Sequence, residues 1–151
     1  MGDATPRQLV ERDLKAAMLA GDKERVSTLR LLLAELENER IRAGSDVSQE
    51  TFLGLVQKGI KQRQDSAEQY RGGGRPELAA KEEREAELLR LYLPEPASEE
   101  EVRGAVRELI AAESLSGAKG IGRVMQTLVP RFKGRIEGQQ LQRIAREELE
   151  A

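Results

Sequence analysis

Residues 91–101 read Leu-Tyr-Leu-Pro-Glu-Pro-Ala-Ser-Glu-Glu-Glu, and this segment interrupts a chain that is otherwise helical in its pattern. Pro94 and Pro96 cannot both lie inside a helix, because proline lacks a backbone N–H and its ring clashes with the preceding turn. Ser98 followed by Glu101 is typical of a capping box, which begins a helix. On both sides of the segment apolar residues recur at helical spacing, and no stretch alternates as a strand does.

The same local signals place helix boundaries elsewhere along the chain. Thr5 and Ser48 carry hydroxyl groups suited to cap a helix N-terminus. Three consecutive glycines at 72–74 interrupt a helix, because glycine loses the most backbone entropy on ordering. We therefore expect an all-α fold with a four-helix N-terminal domain over residues 1–95, followed by a small three-helix C-terminal domain over residues 96–151.

The composition excludes several classes of enzyme. The 151 residues include no cysteine and no histidine, which removes thiol nucleophiles, the usual general base near neutral pH and the commonest transition-metal ligand. There is no phosphate-binding Gly-x-x-x-x-Gly-Lys-Ser/Thr loop and no Gly-x-Ser-x-Gly nucleophile motif. The carboxylates of two clusters, Glu35, Glu37 and Glu39 and then Glu82, Glu83, Glu85 and Glu87, are spaced so that they spread around a helix and do not converge. We therefore expect no catalytic residue, no metal site and no cofactor.

The beginning of the chain bears on its location. Residues 1–6, Met-Gly-Asp-Ala-Thr-Pro, lack the basic start and the apolar core of a signal peptide. The longest unbroken apolar runs are only a few residues long, too short to span a membrane. These features predict a cytoplasmic protein without a membrane partner.

Charge is sorted unevenly in the C-terminal part. Residues 98–113 contain two arginines and five glutamates, whereas residues 117–146 contain seven lysines and arginines and one acid, Glu137. Guanidinium groups bind phosphate oxygens through two parallel hydrogen bonds. Helix N-termini after Gly117 and Gly138 would add N–H donors for an anion. The predicted RNA-binding residues are Lys119, Arg123, Arg131, Lys133, Arg135 and Arg143.

Charge alone leaves an alternative open, namely a solvated basic face that balances the acidic helix before it. The chain has only two tyrosines and two phenylalanines, whereas readers of single-stranded RNA usually stack bases on aromatic side chains. Phe132 interrupts the basic segment and is predicted to be a core residue of the small domain. A nucleic acid bound here would therefore be recognised by its shape and its phosphates, as expected for a folded RNA.

Several motifs occur in order over nearly the whole chain. They are Arg25-Val-Ser-Thr-Leu-Arg-Leu-Leu-Leu-Ala-Glu35, Lys61-Gln-Arg-Gln-Asp-Ser66, Arg75-Pro-Glu-Leu-Ala79, Leu91-Tyr-Leu-Pro94 and Gly122-Arg-Val-Met-Gln-Thr-Leu-Val-Pro-Arg-Phe-Lys-Gly-Arg135. In these motifs the chain resembles the YqeY family. It departs from the family pattern at the glycines of 72–74, where relatives tend to have a turn with fewer glycines.

The resemblance implies a free-standing relative of the tail of GatB, the B subunit of the glutamine-dependent amidotransferase that amidates Glu-tRNA(Gln) or Asp-tRNA(Asn). In that enzyme the helical tail helps to hold the tRNA, and the chemistry occurs in other domains and subunits. The resemblance thus implies a non-catalytic tRNA-binding module linked to an amidotransferase. Two alternatives stay open: a protein–protein adaptor for an amidotransferase or another tRNA enzyme, and an accessory to carbon–nitrogen ligase activity with glutamine as amide donor.

Overall fold

The computed structural model describes residues 4–151, in which all regular secondary structure is helical. The seven helices of this part of the chain are α1 (Pro6–Ala20), α2 (Lys23–Ala43), α3 (Gln49–Gly72), α4 (Pro76–Arg90), α5 (Glu99–Glu113), α6 (Gly117–Arg131) and α7 (Gly138–Glu150). The prediction of an all-α protein is confirmed. Residues 1–3, on which the signal-peptide prediction partly rested, lie outside the described residues. None of the described helices combines the length and the apolar character that a bilayer crossing requires.

The chain divides into two compact units, Met1–Leu93 and Pro94–Ala151. The first, called here the N-terminal unit, contains α1–α4, and the second, the C-terminal unit, contains α5–α7. The division falls two residues before the boundary expected from the sequence. That each unit is a separate domain stays a prediction.

Side-chain caps begin several helices, and the caps of α1 and α5 differ in whether the capping box is complete. At α1 the Thr5 hydroxyl accepts from the Gln8 backbone N–H at 3.2 Å, and the Gln8 side chain accepts from the Thr5 N–H at 2.9 Å, which completes a capping box. At α5 the Ser98 hydroxyl accepts from the Glu101 N–H at 3.1 Å. The Glu101 carboxylate, however, is bound by Arg135. The capping box predicted at α5 is therefore only half formed.

The core of the N-terminal unit is built from all four of its helices. Its fully buried side chains include Val10, Leu29, Phe52, Val56 and Leu89. Tyr92 packs edge-on against Phe52, with ring centroids 5.7 Å apart, and its hydroxyl donates to an Asp13 carboxylate oxygen at 2.6 Å. Burial and this hydrogen bond raise the pKa of Tyr92. The segment just before the proline pair is thereby fixed to α1.

The C-terminal unit has a small core of its own. Its buried residues include Val102, Val124, Phe132, Leu141 and Ile144. Phe132 is 1% exposed, which confirms its prediction as a core residue. A methyl group added to Gly120 would lie 3.0 Å from a terminal carbon of Leu149, so this glycine permits the close packing of α6 against α7.

Candidate nucleic-acid interface

The six predicted RNA-binding residues all lie in the C-terminal unit, on α6, on α7 and on the turn between them. Three of them are on α6, two on the turn and one on α7: Lys119, Arg123 and Arg131, then Lys133 and Arg135, then Arg143. They fall into two groups by what surrounds them. Three arginines are bound to glutamates of the same unit, and the remaining three cations are not.

Arg123 is paired with Glu113, the last residue of α5. Its Nε and one terminal nitrogen lie 2.7 and 3.2 Å from the two carboxylate oxygens. The hydrogen bonds from Arg123 lower the pKa of Glu113 from its usual value. Both side chains are partly exposed, and ion pairs in contact with solvent add little stability, so a phosphate could replace the carboxylate at small cost.

Arg135 has a structural role that the sequence pattern did not predict. Its two terminal nitrogens lie 3.1 and 2.9 Å from the Glu101 carboxylate oxygens, and its Nε donates to the backbone carbonyl of Glu95 at 3.1 Å. Its own carbonyl accepts from the Ala97 N–H at 2.8 Å. Arg135 therefore holds the α6–α7 turn to the segment that leads into α5, and a phosphate would have to compete with three contacts.

Arg143 belongs to a chain of ion pairs between α5 and α7, which we call the α5–α7 ion-pair network. One terminal nitrogen lies 2.9 Å from Glu99, and the other donates to Glu147 at 3.1 Å. Hydrogen bonds from Arg143 and, to a smaller extent, from Arg103 lower the pKa of Glu99. The members of the network are Glu99, Arg103 and Arg107 on α5 and Arg143, Glu147 and Glu148 on α7.

Arg103 is the centre of this network. It contacts Glu99 at 3.0 Å, Glu148 at 3.1 Å and also Glu147. Arg107 adds a contact to Glu148 at 2.8 Å. With three arginines and three glutamates the network is neutral. The four-residue spacing of Glu99, Arg103 and Arg107 on α5 could have indicated a shared face, but not that this face meets α7.

Lys119, Arg131 and Lys133, called here the unpaired cations, form no ion pair and no side-chain hydrogen bond within the described part of the chain. Lys119 lies in the first turn of α6, and Arg131 is its last residue. Twelve residues at about 1.5 Å each separate them by about 18 Å along the helix axis. The Arg131 guanidinium carbon lies 5.3 Å from the centroid of the Phe132 ring, a cation–π contact that orients it.

Other features of this surface bear on anion binding. The helices α6 and α7 begin at Gly117 and Gly138, and neither N-terminus has a side-chain cap. Arg146 on α7 is exposed and, among residues 4–151, unpaired; it was counted in the charge pattern but not in the predicted site. In the same range no group of three or more acidic side chains is arranged to hold a metal ion.

Comparison with known proteins identifies relatives of the chain. The profile of the family described as Yqey-like protein matches residues 7–149. The protein named "Altered inheritance of mitochondria protein 41, mitochondrial" from Lachancea thermotolerans is 38% identical over 104 residues, which are 67% of this chain and 56% of that protein. The protein of the same name from Vanderwaltozyma polyspora is 40% identical over 85 residues, 56% of this chain and 46% of that protein. These matches span about half the length of the two relatives.

The names of the relatives overturn the prediction of a cytoplasmic location, because they assign these proteins to mitochondria. That prediction rested on the lack of secretory features, which does not address import into mitochondria. A third relative bears the same name, comes from Pyrenophora tritici-repentis and is 31% identical over 139 residues, 87% of this chain and 76% of that protein. Together with the profile match, this coverage shows that the chain belongs to the YqeY-like protein family.

Proposed function

We propose that this chain is a non-catalytic module that binds structured RNA, with tRNA as its principal ligand, through its C-terminal unit. The observation that carries the proposal is the group of unpaired cations, Lys119, Arg131 and Lys133, in a unit where most other arginines are bound to glutamates. Cations without an internal acid attract phosphates most strongly, because binding need not break an existing pair. The choice of tRNA rests on the resemblance to the GatB tail.

The positions of these cations suit contacts to a phosphate backbone. Arg131 offers a planar guanidinium that can bind one phosphate through two hydrogen bonds, and Lys119 and Lys133 act as point charges. The spacing of about 18 Å between the two ends of α6 spans several phosphates of an RNA helix. Such contacts fix orientation without reading sequence, so specificity would come from the fit to the shape of the RNA.

The paired arginines rank below the unpaired cations in this proposal. Arg123 and Arg143 are about half exposed and are bound by exposed glutamates, so each could exchange its carboxylate partner for a phosphate. Arg135 is committed to Glu101 and to the backbone of Glu95, so we assign it to the stability of the turn.

Fluorescence anisotropy with labelled tRNA and the whole chain tests the proposal. The variant Lys119→Glu/Arg131→Glu/Lys133→Glu should bind about 100-fold more weakly, because three attractive contacts become repulsive. The matched variant Lys15→Glu/Lys58→Glu/Lys61→Glu makes the same charge change on exposed lysines of the N-terminal unit, and we expect it to lose no more than about threefold. Equal losses in the two variants, or none in the first, would exclude this surface.

The proposed link to a tRNA-dependent amidotransferase has a separate test. We expect the chain to accelerate amidation of Glu-tRNA(Gln) in a reconstituted reaction when tRNA is limiting, and we expect the first triple variant not to do so. Because the relatives are named as mitochondrial, mitochondrial tRNA should be compared with a cytosolic pool. An unchanged rate alongside intact tRNA binding would contradict the link and leave RNA binding in place.

A further inference from the structure

A hollow of about 610 Å³ lies where α1 turns into α2, within the N-terminal unit. We call it the α1–α2 hollow. Its lining contains apolar, small and basic residues and no acid: Met18, Gly21, Lys23, Val26, Ser27, Arg30 and Leu31. Gly21 has a φ of +69°, and a methyl group added to it would meet nothing within 4 Å, so the turn leaves the hollow open.

Large apolar side chains at this hollow face solvent. Met18 is 54% exposed, Leu31 is 53% exposed, and the neighbouring Leu19 is 82% exposed. Exposed apolar residues that lie singly need no explanation, but a group of them beside a concave surface is typical of an interaction site.

The two basic residues of the hollow are free to bind an external acid. Lys23 and Arg30 form no ion pair with any residue between 4 and 151. Farther along the same helix, by contrast, Arg40 pairs with Glu37 at 2.6 Å and Arg42 pairs with Glu39 at 2.5 Å. Lys23 and Arg30 therefore differ from Arg40 and Arg42 in having no acidic partner, because the nearby Glu24 is bound by Arg84.

We propose that the α1–α2 hollow docks an amphipathic, acidic helix of a partner protein. The apolar stripe of that helix would pack against Met18 and Leu31, and its acidic residues would pair with Lys23 and Arg30. Lys23, Ser27 and Arg30 recur at helical spacing along one face of α2, so a second helix can lie beside them. A concave apolar floor suits inserted side chains better than a lipid surface or a phosphate backbone. This inference is independent of RNA binding, which is assigned to the other unit.

The probe is a synthetic helical peptide with leucines at i, i+4 and i+7 and glutamates on both flanks of that stripe, titrated into the ¹⁵N-labelled whole chain. We expect NMR shift changes centred on Gly21, Ser27 and Leu31. The variant Lys23→Glu/Arg30→Glu should weaken binding at least about tenfold. The matched variant Lys61→Glu/Arg75→Glu, on exposed residues outside the hollow, should change it less than about twofold.

A charge swap makes the test specific. A peptide with lysines in place of its glutamates should bind the Lys23→Glu/Arg30→Glu variant more tightly than it binds the unmodified chain. The proposal is overturned by shift changes centred elsewhere, by equal binding of a scrambled peptide, or by no shift at millimolar peptide. It is also overturned if vesicles of equal parts phosphatidylcholine and phosphatidylglycerol perturb the same residues while the peptide does not.

Discussion

The α5–α7 ion-pair network and the unpaired cations both contain basic residues of one small unit. They differ in the charge that they offer to a polyanion, because the network is neutral and the unpaired cations are positive. In the network Arg103 contacts three glutamates, and Arg143 contacts two. On α6 and the turn after it, Lys119, Arg131 and Lys133 have no such partner in the described chain. The difference arises because α5 and α7 pack together with acids and bases in complementary positions. A run of basic residues in the sequence therefore does not show which of them lack an acidic partner, because that depends on how the neighbouring helices pack.

The two regions also differ in what their charges contribute. Each network arginine is already compensated by a glutamate, so it attracts a phosphate weakly even within the Debye length of about 8 Å at physiological salt. Its contacts join α5 to α7 and serve the fold. The unpaired cations contribute little to the fold, so we assign them to binding. Changes that separate stability from RNA affinity test this distinction.

The largest effect is expected at Phe132, the buried residue that lies between two of the unpaired cations in sequence, Arg131 and Lys133. The guanidinium carbons of Arg131 and Arg135 lie 5.3 and 5.8 Å from the centre of its ring, and the ring itself is buried. Phe132→Ala should lower the free energy of unfolding by about 3–5 kcal/mol, measured by urea denaturation, because it leaves a cavity in a small core. Phe132→Leu, which keeps most of the volume, should cost less than about 2 kcal/mol. A loss below about 1 kcal/mol for the alanine variant would contradict this role.

A smaller loss is expected when the network alone is broken. Glu148→Gln removes the charge that binds Arg107 and Arg103, so the free energy of unfolding at pH 7 should fall by less than in Phe132→Ala. Hydrogen bonds from Arg107 and Arg103 lower the pKa of Glu148 from its usual value of about 4.5. A carboxyl with a lowered pKa stabilises the fold above the pKa of the unfolded chain and loses that effect as the pH falls through the folded value.

The difference between Glu148→Gln and the unmodified chain should therefore be constant above about pH 5.5 and should shrink as the pH falls below about 4.5. Urea denaturation at several pH values measures this difference in the free energy of unfolding. Glu108→Gln, an exposed change on α5 outside the network, serves as the control and should have little effect at any pH. A pH-independent difference would show that Glu148 acts through packing and not through its charge.

A subtler comparison uses two glycines of α6. A methyl group added to Gly122 would meet nothing within 4 Å, so Gly122→Ala should raise the free energy of unfolding by about 0.5–1 kcal/mol through its helix propensity. At Gly120 the same methyl group would press on Leu149 and Leu115, so Gly120→Ala should lower the free energy of unfolding by about 1 kcal/mol. Affinity of Gly122→Ala for tRNA should stay within about twofold, because side chains make the contacts. A large loss would indicate that the RNA approaches the backbone there.

Local signals were sufficient to predict much of the fold. The hydroxyls of Thr5 and Ser48 cap helices and α3 ends at Gly72, because each signal acts within a few residues. The same reasoning failed for Glu101, which binds Arg135 instead of completing a cap.

The charge pattern identified which residues are basic, but not which of them are free. The partner of Arg84 is Glu24, 60 residues away, and Arg103 meets Glu147 and Glu148 across more than 40. Such pairs depend on which helix faces pack together, and helical spacing in a single sequence does not specify that. Three of the six predicted RNA-binding residues were therefore unexpectedly paired, and their role in binding stays a prediction.

The salt dependence of tRNA binding separates the two regions most directly. If the three unpaired cations contact phosphates, the logarithm of the affinity should fall with the logarithm of salt concentration at a slope of about −2 to −3. Lys119→Ala/Arg131→Ala/Lys133→Ala should bring that slope close to zero, while Arg103→Ala/Arg107→Ala should leave it unchanged. A slope that survives the first variant and disappears in the second would contradict the assignment of binding to the unpaired cations.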